Sequence, residues 1–373
     1  MRILHIYKDF YPPTVGGIET HMYTLIQATR DYCDSIRVLI SNRNWKNETV
    51  EVEGIEVHKV ADLGRFMSAP LSPGFPLALR RYHVDILHYH APIPTAEVAH
   101  LLARPPGRVI VSYHSDVVRQ ARSYRLYAPI QRRFLASADR IIATSPNYLA
   151  SSPMLRRFAD RCEVISPGID LSHFERTEQV REASQRIAER YPGRRVLFVG
   201  RLCYYKGLSV LLSAMERVEG HLLVVGGGPM QTEYLKLHRT LPHRERVHFI
   251  GQVDSVVPYY YAADVFCLPS THRSESFGIV QLEAGACGLP VVSTALDTGV
   301  PYVNRHGETG LIVPVGDSVA LAEALNVLLA DEATRRRMGE SARRRVHAEF
   351  SARVMGDQVL DLYRRVLAGE ARR

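Results

Sequence analysis

The chain is poor in the residues that would staple or anchor it. Cys33, Cys162, Cys203, Cys267 and Cys287 are dispersed, odd in number and never in C-x-x-C spacing. That pattern speaks against a disulfide framework and fits reduced, mostly buried thiols of a cytoplasmic protein. No run of about 18 apolar residues exists to span a bilayer, and Arg2–Asp9 is too short and polar for a secretory leader. D-x-D, H-x-x-x-H and H-E-x-x-H spacings are missing, so a site built around a divalent metal has no visible ligand set. The cluster Gly226-Gly227-Gly228-Pro229 has Gln231 where a dinucleotide fingerprint needs its third glycine, which disfavours hydride transfer. Neither an aromatic-basic RNA signature nor a zinc-finger spacing occurs, and nucleic acid is not an expected partner. Charge of one sign is not concentrated either. The net +8 divides evenly about residue 175, with 21 bases against 17 acids before it and 26 against 22 after it. A mild basic excess of this kind suits an anionic ligand or a membrane surface.

What is present is ample core. The 373 residues are 46% apolar, enough for two domains at roughly 100–200 residues each. β-rich runs alternate with helical stretches. Strands are expected at Arg2–Tyr7, Ser35–Ile40, Val84–Tyr89, Val109–Tyr113, Arg140–Thr144 and Cys162–Ile165. The second half repeats the theme at Arg195–Val199, Leu222–Val225, Val247–Ile250, Val265–Leu268, Val291–Ser293 and Leu311–Val313. Several are apolar without alternation, as strands buried on both faces should be. Helices are expected over Glu19–Asp31, Gly207–Glu216, Phe277–Cys287 and Ser318–Leu329. The class is therefore α/β, with two open parallel sheets and right-handed crossovers. Turn chemistry at Pro167-Gly168-Ile169-Asp170 places the boundary between Pro167 and Arg194, giving domains over 1–175 and 176–350. Residues 351–373 form a further helix, expected to cross back onto the first domain. The Arg-rich run Arg335–Arg345 reads as solvated helix surface.

Ligands of open parallel sheets sit beyond the carboxyl ends of strands, and four segments there carry chemistry. Gly16-Gly17 lets backbone N–H groups approach a ligand before a helix, although a glycine pair alone is more often a plain turn. Gly200-Arg201 ends a strand and Lys206-Gly207 opens the next helix. Arg201 can grip two phosphate oxygens with its fork while Lys206 acts as a point charge, and the helix end adds positive potential. Singly, each cation is more often surface; together on one loop they point to a diphosphate. In Ser274–Ala284, a helix beginning near Phe277 puts Glu275 in the entering loop and Glu283 about 9 Å along the axis. Carboxylates are pure acceptors suited to vicinal hydroxyls of a sugar. Glu283 lies among apolar residues, and acids are almost never buried without a partner. Finally, His114 leaves a buried strand beside Asp116, a site candidate but not a metal ligand.

These residues resemble family 4 glycosyltransferases, retaining enzymes of the GT-B fold, and among them the mannosyltransferases of bacterial O-antigen and surface polysaccharide. The resemblance rests on Gly16-Gly17-Ile18-Glu19, His114, Ser166–Asp170, Gly200-Arg201, Lys206-Gly207 and the E-x7-E spacing of Glu275 and Glu283. It implies two Rossmann-like domains facing across a cleft, the first for the acceptor and the second for the nucleotide sugar. Arg201 and Lys206 are implied to bind the donor diphosphate, Glu275 the sugar hydroxyls and Glu283 the ribose, with Gly16, Gly17 and His114 near the transferred sugar. Gly200, Phe277, Gly278, Ile279 and Val280 complete the implied donor site. Cys203-Tyr204-Tyr205 departs from the more polar residues that the family often has there.

The expected activity is a metal-independent hexosyltransferase without cofactor, using a nucleotide-diphosphate sugar. The lean is to GDP-mannose; a UDP-sugar transferase, a GT-B epimerase and a non-catalytic sugar-nucleotide binder are the alternatives. The expected acceptor is a saccharide or lipid-linked saccharide. Arg119, Arg122, Arg125, Arg132, Arg133 and Arg140, interleaved with Tyr124, Leu126, Tyr127, Ile130, Phe134 and Leu135, suit either a core-packed helix with a solvated face or contact with anionic lipid. The expected location is the cytoplasm, extending to the inner face of its membrane.

Overall fold

Non-alternating apolar runs need cover on both faces, and the chain supplies it by laying helices on either side of two sheets. The computed structural model describes residues 1–12, 16–66, 69–117 and 121–369. They divide into two units, Met1–Gly168 with Ala352–Arg373, and Ile169–Ser351.

The first unit contains β1 (Arg2–Ile6), α1 (Gly17–Thr29), β2 (Ser35–Ser41), β3 (Glu48–Val52), β4 (Ile55–Val60), β5 (Arg65–Phe66), β6 (Ala69–Pro70), α2 (Phe75–Arg80), β7 (Ile86–Ala91), α3 (Pro94–Ala103), β8 (Arg108–Tyr113), α4 (Ala121–Ser137), β9 (Arg140–Ala143), α5 (Pro146–Ser151) and β10 (Cys162–Val164). Eight strands form one sheet in the order β10-β9-β8-β7-β1-β2-β4-β3. All pairings are parallel except β3 with β4. The parallel sheet is as expected, with one antiparallel strand, β3, added at its edge. The cause of that pairing is Glu53-Gly54, where φ of 49° and 78° makes the two-residue turn that suits a hairpin.

Period two sorts the side chains of this sheet. Leu4, Ile6, Leu87, Tyr89, Val109, Val111 and Tyr113 face one hydrophobic layer. Ile3, Ile86 and Ile110 face the other, which α1 and the final helix cover. Continuing along that second face toward the carboxyl ends, the alternation brings His5, His88, His90, Ser112 and His114 into line.

The second unit contains α6 (Glu178–Arg190), β11 (Arg195–Val199), α7 (Leu208–Ala214), β12 (His221–Val225), α8 (Gln231–Thr240), β13 (Val247–Gly251), α9 (Val257–Ala262), β14 (Val265–Leu268), α10 (Val280–Ala286), β15 (Val291–Thr294), α11 (Val300–Val303), β16 (Gly310–Val313), α12 (Ser318–Ala330) and α13 (Glu332–Glu349). Its six strands are all parallel, ordered β13-β12-β11-β14-β15-β16. The order reverses direction at β11 and β14, which pair directly, so the loops leaving these two strands are neighbours at the switch point where ligands bind. On α13 the solvated reading fails at two positions. Arg335 is buried, donates to the carbonyls of Leu328 and Leu329 and pairs with Asp264, while buried Arg345 donates to the Tyr302 carbonyl.

The chain ends with α14 (Ala352–Leu367), part of the first unit. Its Met355, Val359, Leu360, Leu362, Tyr363 and Val366 pack on Ile3, Ile86 and Ile110. Gly356 sits so close to α1 that a Cβ would lie 2.9 Å from that of Ala28.

Candidate active site

In the second unit the loop after β11 meets the loop after β14. Gly207 makes this possible. Its φ is +68°, and a Cβ there would stand 1.9 Å from the Pro269 carbonyl oxygen, a position closed to any other residue. Lys206, just before it, reaches across the junction to Glu275 with Nζ 2.7 Å from Oε2. Both side chains are only 9% exposed. Ser270 Oγ donates to the same carboxylate oxygen at 3.1 Å. Thus two residues 69 positions apart, read as separate contacts for phosphate and sugar, form one buried ion pair. Gly200 lies against it, its α-carbon side facing Lys206 Nζ. Arg201 is exposed, and no hydrogen bond or ion pair occupies its guanidinium among the described residues.

The helix beyond Glu275 starts later than expected. Gly278 has φ of +77°, which holds off helical geometry until Val280, with Ile279 as cap. Glu283 therefore lies in the first turn of α10, not two turns in. It accepts from the Tyr260 hydroxyl at 2.8 Å. Burial pushes its carboxyl above the usual range, opposed by that hydrogen bond and by the charge of Lys206. Phe277 is a core residue, packed with Ile169, Leu282 and Phe350; what it offers a ligand is backbone. Gly278, Ile279 and Val280 follow it on the loop and first turn. Since α7 and α10 have seven residues each, their end potentials are modest and the two cations dominate.

In the first unit Gly16 caps α1 and Gly17 opens it. A Cβ on Gly16 would strike the Glu19 carboxylate at 2.3 Å. His114, just past β8, is buried and stacks on His90 with rings 8° from parallel. Its Nε2 lies 3.0 Å from His90 Nδ1. The expected neighbour, Asp116, instead accepts from Tyr113 at 3.0 Å and from Ser152 at 2.7 Å. Burial, with a smaller contribution from His21, holds the His114 ring well below its ordinary pKa, so it is uncharged near neutrality.

Comparisons with known proteins give the family. Residues 15–173 match the family described as Glycosyltransferase Family 4, and residues 180–345 match Glycosyl transferases group 1. The chain is 37% identical over 383 residues to O-antigen chain mannosyltransferase C of Escherichia coli, with 100% of both chains covered. The chain is a family 4 glycosyltransferase. D-rhamnosyltransferase WbpZ of Pseudomonas aeruginosa is 34% identical to this glycosyltransferase, over 94% of the chain and 93% of the relative. Among solved structures, sucrose-phosphate synthase from Thermosynechococcus elongatus superposes with a TM-score of 0.85 at 26% identity, covering 98% of this chain and 99% of its own. WaaG, a glycosyltransferase involved in lipopolysaccharide biosynthesis, shares the GT-B fold at a TM-score of 0.71.

The basic segment of the glycosyltransferase is split by α4. Phe134 and Leu135 are fully buried, Tyr124 donates to Gln131 at 2.9 Å and Tyr127 donates to buried Glu97. Arg125, Leu126, Ile130, Arg132 and Arg133 face outward, with Leu126 83% exposed. Arg119 and the Arg122 side chain lie outside the described residues. No helix among the described residues is long and apolar enough to cross a membrane.

Residue-by-residue reasoning missed His5, His21, His88 and His90. For His5, His88 and His90 the signal was there, polar residues on one face of strands whose other buried residues are apolar; His21 is on α1 and had no such signal. It missed Tyr260 as the Glu283 partner as well, because α9 and α10 meet only in three dimensions.

Proposed function

We propose that this glycosyltransferase moves mannose from GDP-mannose, with retention at the anomeric carbon and without a metal ion, to a hydroxyl of a saccharide or lipid-linked saccharide. The reading places it in cell-surface polysaccharide synthesis at the cytoplasmic face of the membrane. The observation that carries the chemistry is the buried Lys206–Glu275 pair beside the uncommitted Arg201. An ammonium has three N–H donors; one faces Glu275, and the others can meet a diphosphate oxygen. Arg201 adds a planar fork to the same anion. Glu275 and Glu283, as acceptors, suit sugar and ribose hydroxyls. The donor lean is supported by chemistry that the two relatives share, since D-rhamnose is mannose lacking its 6-hydroxyl.

In this mechanism the C1–O bond to the diphosphate breaks with its electron pair going to the phosphate oxygen. Lys206 and Arg201 stabilise that developing charge. The acceptor oxygen bonds to C1 on the same face, and its proton passes to the departing phosphate oxygen. His114, uncharged and buried, borders the sugar as a hydrogen-bonding group with no charge to compete for the phosphate. Outward-facing Arg125, Leu126, Ile130, Arg132 and Arg133 rest on anionic headgroups and hold the enzyme near a lipid-linked acceptor.

The test begins with thermal unfolding in GDP and UDP, because a bound ligand stabilises by mass action. Transfer is then measured from GDP-mannose, GDP-6-deoxy-D-mannose and UDP-glucose to a lipid-linked saccharide extract, with and without chelator. The expected result is stabilisation by GDP, an α-mannosyl product and turnover untouched by chelator. An inverted anomer, or turnover abolished by chelator, overturns the mechanism. Preference for the 6-deoxy donor favours rhamnosyl transfer instead.

A further inference from the structure

The first unit carries a column of imidazoles along the sheet face that α1 and α14 cover. His5 on β1 pairs in register with His88 on β7, and His90 follows on the same face of β7. His5 Nδ1 lies 3.1 Å from His90 Nε2, and His90 Nδ1 lies 3.0 Å from His114 Nε2. From α1, one turn before the packed Leu25, His21 brings its ring to 5.0 Å from that of His114 and 6.1 Å from that of His90. Each neutral imidazole has one N–H and one lone pair, so the run of three rings joined nitrogen to nitrogen leaves two nitrogens over, His5 Nε2 at one end and His114 Nδ1 at the other. Within this cluster of described residues, His5 Nε2 and His21 Nδ1 are buried without a hydrogen-bond partner.

We propose that His21, His90 and His114 form a binding site for a borderline transition-metal ion, of which Zn2+ is the representative, with its fourth position open. The ligating nitrogens of the three lie within 4.8 Å of one another. Around tetrahedral zinc, nitrogens about 2.0–2.1 Å from the ion stand about 3.3 Å apart, so the 3.0 Å contact of His90 with His114 already has nearly that spacing. His21 then closes the site by a movement within its helix-borne side chain, and its orphaned nitrogen gains a partner.

A second triad, His5, His88 and His90, has the same composition but the wrong surroundings. His88 is bonded through both nitrogens to groups outside its triad, Tyr363 at 2.5 Å and Ser112 at 2.8 Å, whereas the ring nitrogens of His90 meet only other imidazoles, one of them its co-ligand His114. All three of its members are fully buried, whereas His114 and His21 are 5% and 7% exposed. The outer triad is therefore the one an ion can enter. Water or an anion at the open position would also offset the ion's charge. Imidazole donors favour Zn2+, Co2+, Ni2+ and Cu2+ over oxygen-seeking Mg2+ and Ca2+. The ion is no part of the transfer chemistry. On the reading that His114 borders the sugar, occupancy slows transfer by taking that ring away; occupancy itself does not depend on that reading.

The experiment uses the full chain, stripped with chelator and desalted, titrated with Co2+ and followed by visible absorption. The expected result is one equivalent bound with the intense bands of four-coordinate cobalt, displaced by Zn2+ and unaffected by Mg2+. Changes beside a metal ligand lower affinity about 10–100-fold, so loss of a ligand in His21→Gln or His114→Gln should weaken Co2+ binding by about 100-fold or more. His306→Gln, elsewhere in the chain, should leave the titration unchanged. Circular dichroism checks that each variant is folded. A wild-type chain that gives no stoichiometric four-coordinate spectrum overturns the site, and so does full affinity in both folded variants. Transfer rates with and without Zn2+ are a separate arm. Stoichiometric binding with unchanged transfer would keep the site and remove His114 from the sugar.

Discussion

Lys206 and Glu275 offer a test in which stability and activity should part company. Replacing one member of a buried ion pair leaves the other charged and uncompensated, at about 3–5 kcal/mol. Each side chain is 9% exposed, so solvent does little to screen the pair. The second unit falls in the size class where 1 kcal/mol moves Tm by about 2–4 °C, and Lys206→Met or Glu275→Gln should lower its transition by roughly 6–20 °C. The double variant removes both charges, replaces them with groups of similar volume and should recover most of that loss. Transfer should not recover, because the diphosphate has lost a cation whose removal costs about 100–1,000-fold by analogy with an oxyanion donor. Calorimetry of the two singles and the double gives the coupling energy, and nucleoside diphosphate release gives turnover. Additive losses in Tm would show that the pair is not coupled as its geometry states. Wild-type turnover in a folded Lys206→Met variant would remove Lys206 from the chemistry.

Three further substitutions probe single contacts. Tyr260→Phe strips the Glu283 carboxylate of its donor at 2.8 Å; an orphaned buried acceptor costs about 1–3 kcal/mol, and urea unfolding should show a loss of that size with weaker GDP protection. Buried Glu97 has its pKa raised from 4.5 to about 7, chiefly by desolvation. Its folded value lies above the unfolded one, so its contribution is fully present below pH 4.5 and falls as pH rises to 7, by roughly 3 kcal/mol at 1.36 kcal/mol per unit. Glu97→Gln should abolish that slope in urea titrations across pH 4.5–8, and a wild-type stability flat over the window contradicts the argument. Gly207→Ala meets both a φ of +68° and the Pro269 carbonyl at 1.9 Å, whereas Gly193→Ala meets a φ of +93° and open space. The first should lower Tm several-fold more than the second, and equal losses would mean that the close approach of the two loops is unimportant.

How much of this was legible depended on whether a feature was local. The buried strands of the second unit, such as Val265–Leu268, could be read because an apolar run bounded by turn residues has few alternatives. The edge hairpin of β3 and β4 escaped, since Glu48–Val52 alternates Glu with Val and Thr and offers no continuous apolar run. The start of α10 was misplaced by three residues because Gly278 occupies left-handed backbone, which composition does not reveal. Glu275 and Lys206 were legible as polar groups at strand ends, yet their pairing was not. It follows from β11 lying next to β14, an order that no local pattern encodes.

The candidate site of the second unit and the histidine-bearing sheet face of the first bury polar groups by different physical routes. In the second, opposite charges neutralise each other at a loop junction, and an ammonium with unused donors can add an anion without leaving its partner. In the first, the buried polar residues along β1, β7 and β8 are imidazoles, a serine and tyrosines. Burial pushes His5 down to about 3 and His21 to about 4, and holds His88, His90 and His114 well below 6.5. Such rings are uncharged, and those of His5, His88, His90 and His114 are hydrogen-bonded, so the column needs no counterion where carboxylates would. A substitution His90→Arg should destabilise the first unit strongly, measured as a loss of Tm by calorimetry, because its guanidinium stays charged where the sheet face provides only neutral dipoles; an unchanged Tm would refute the argument.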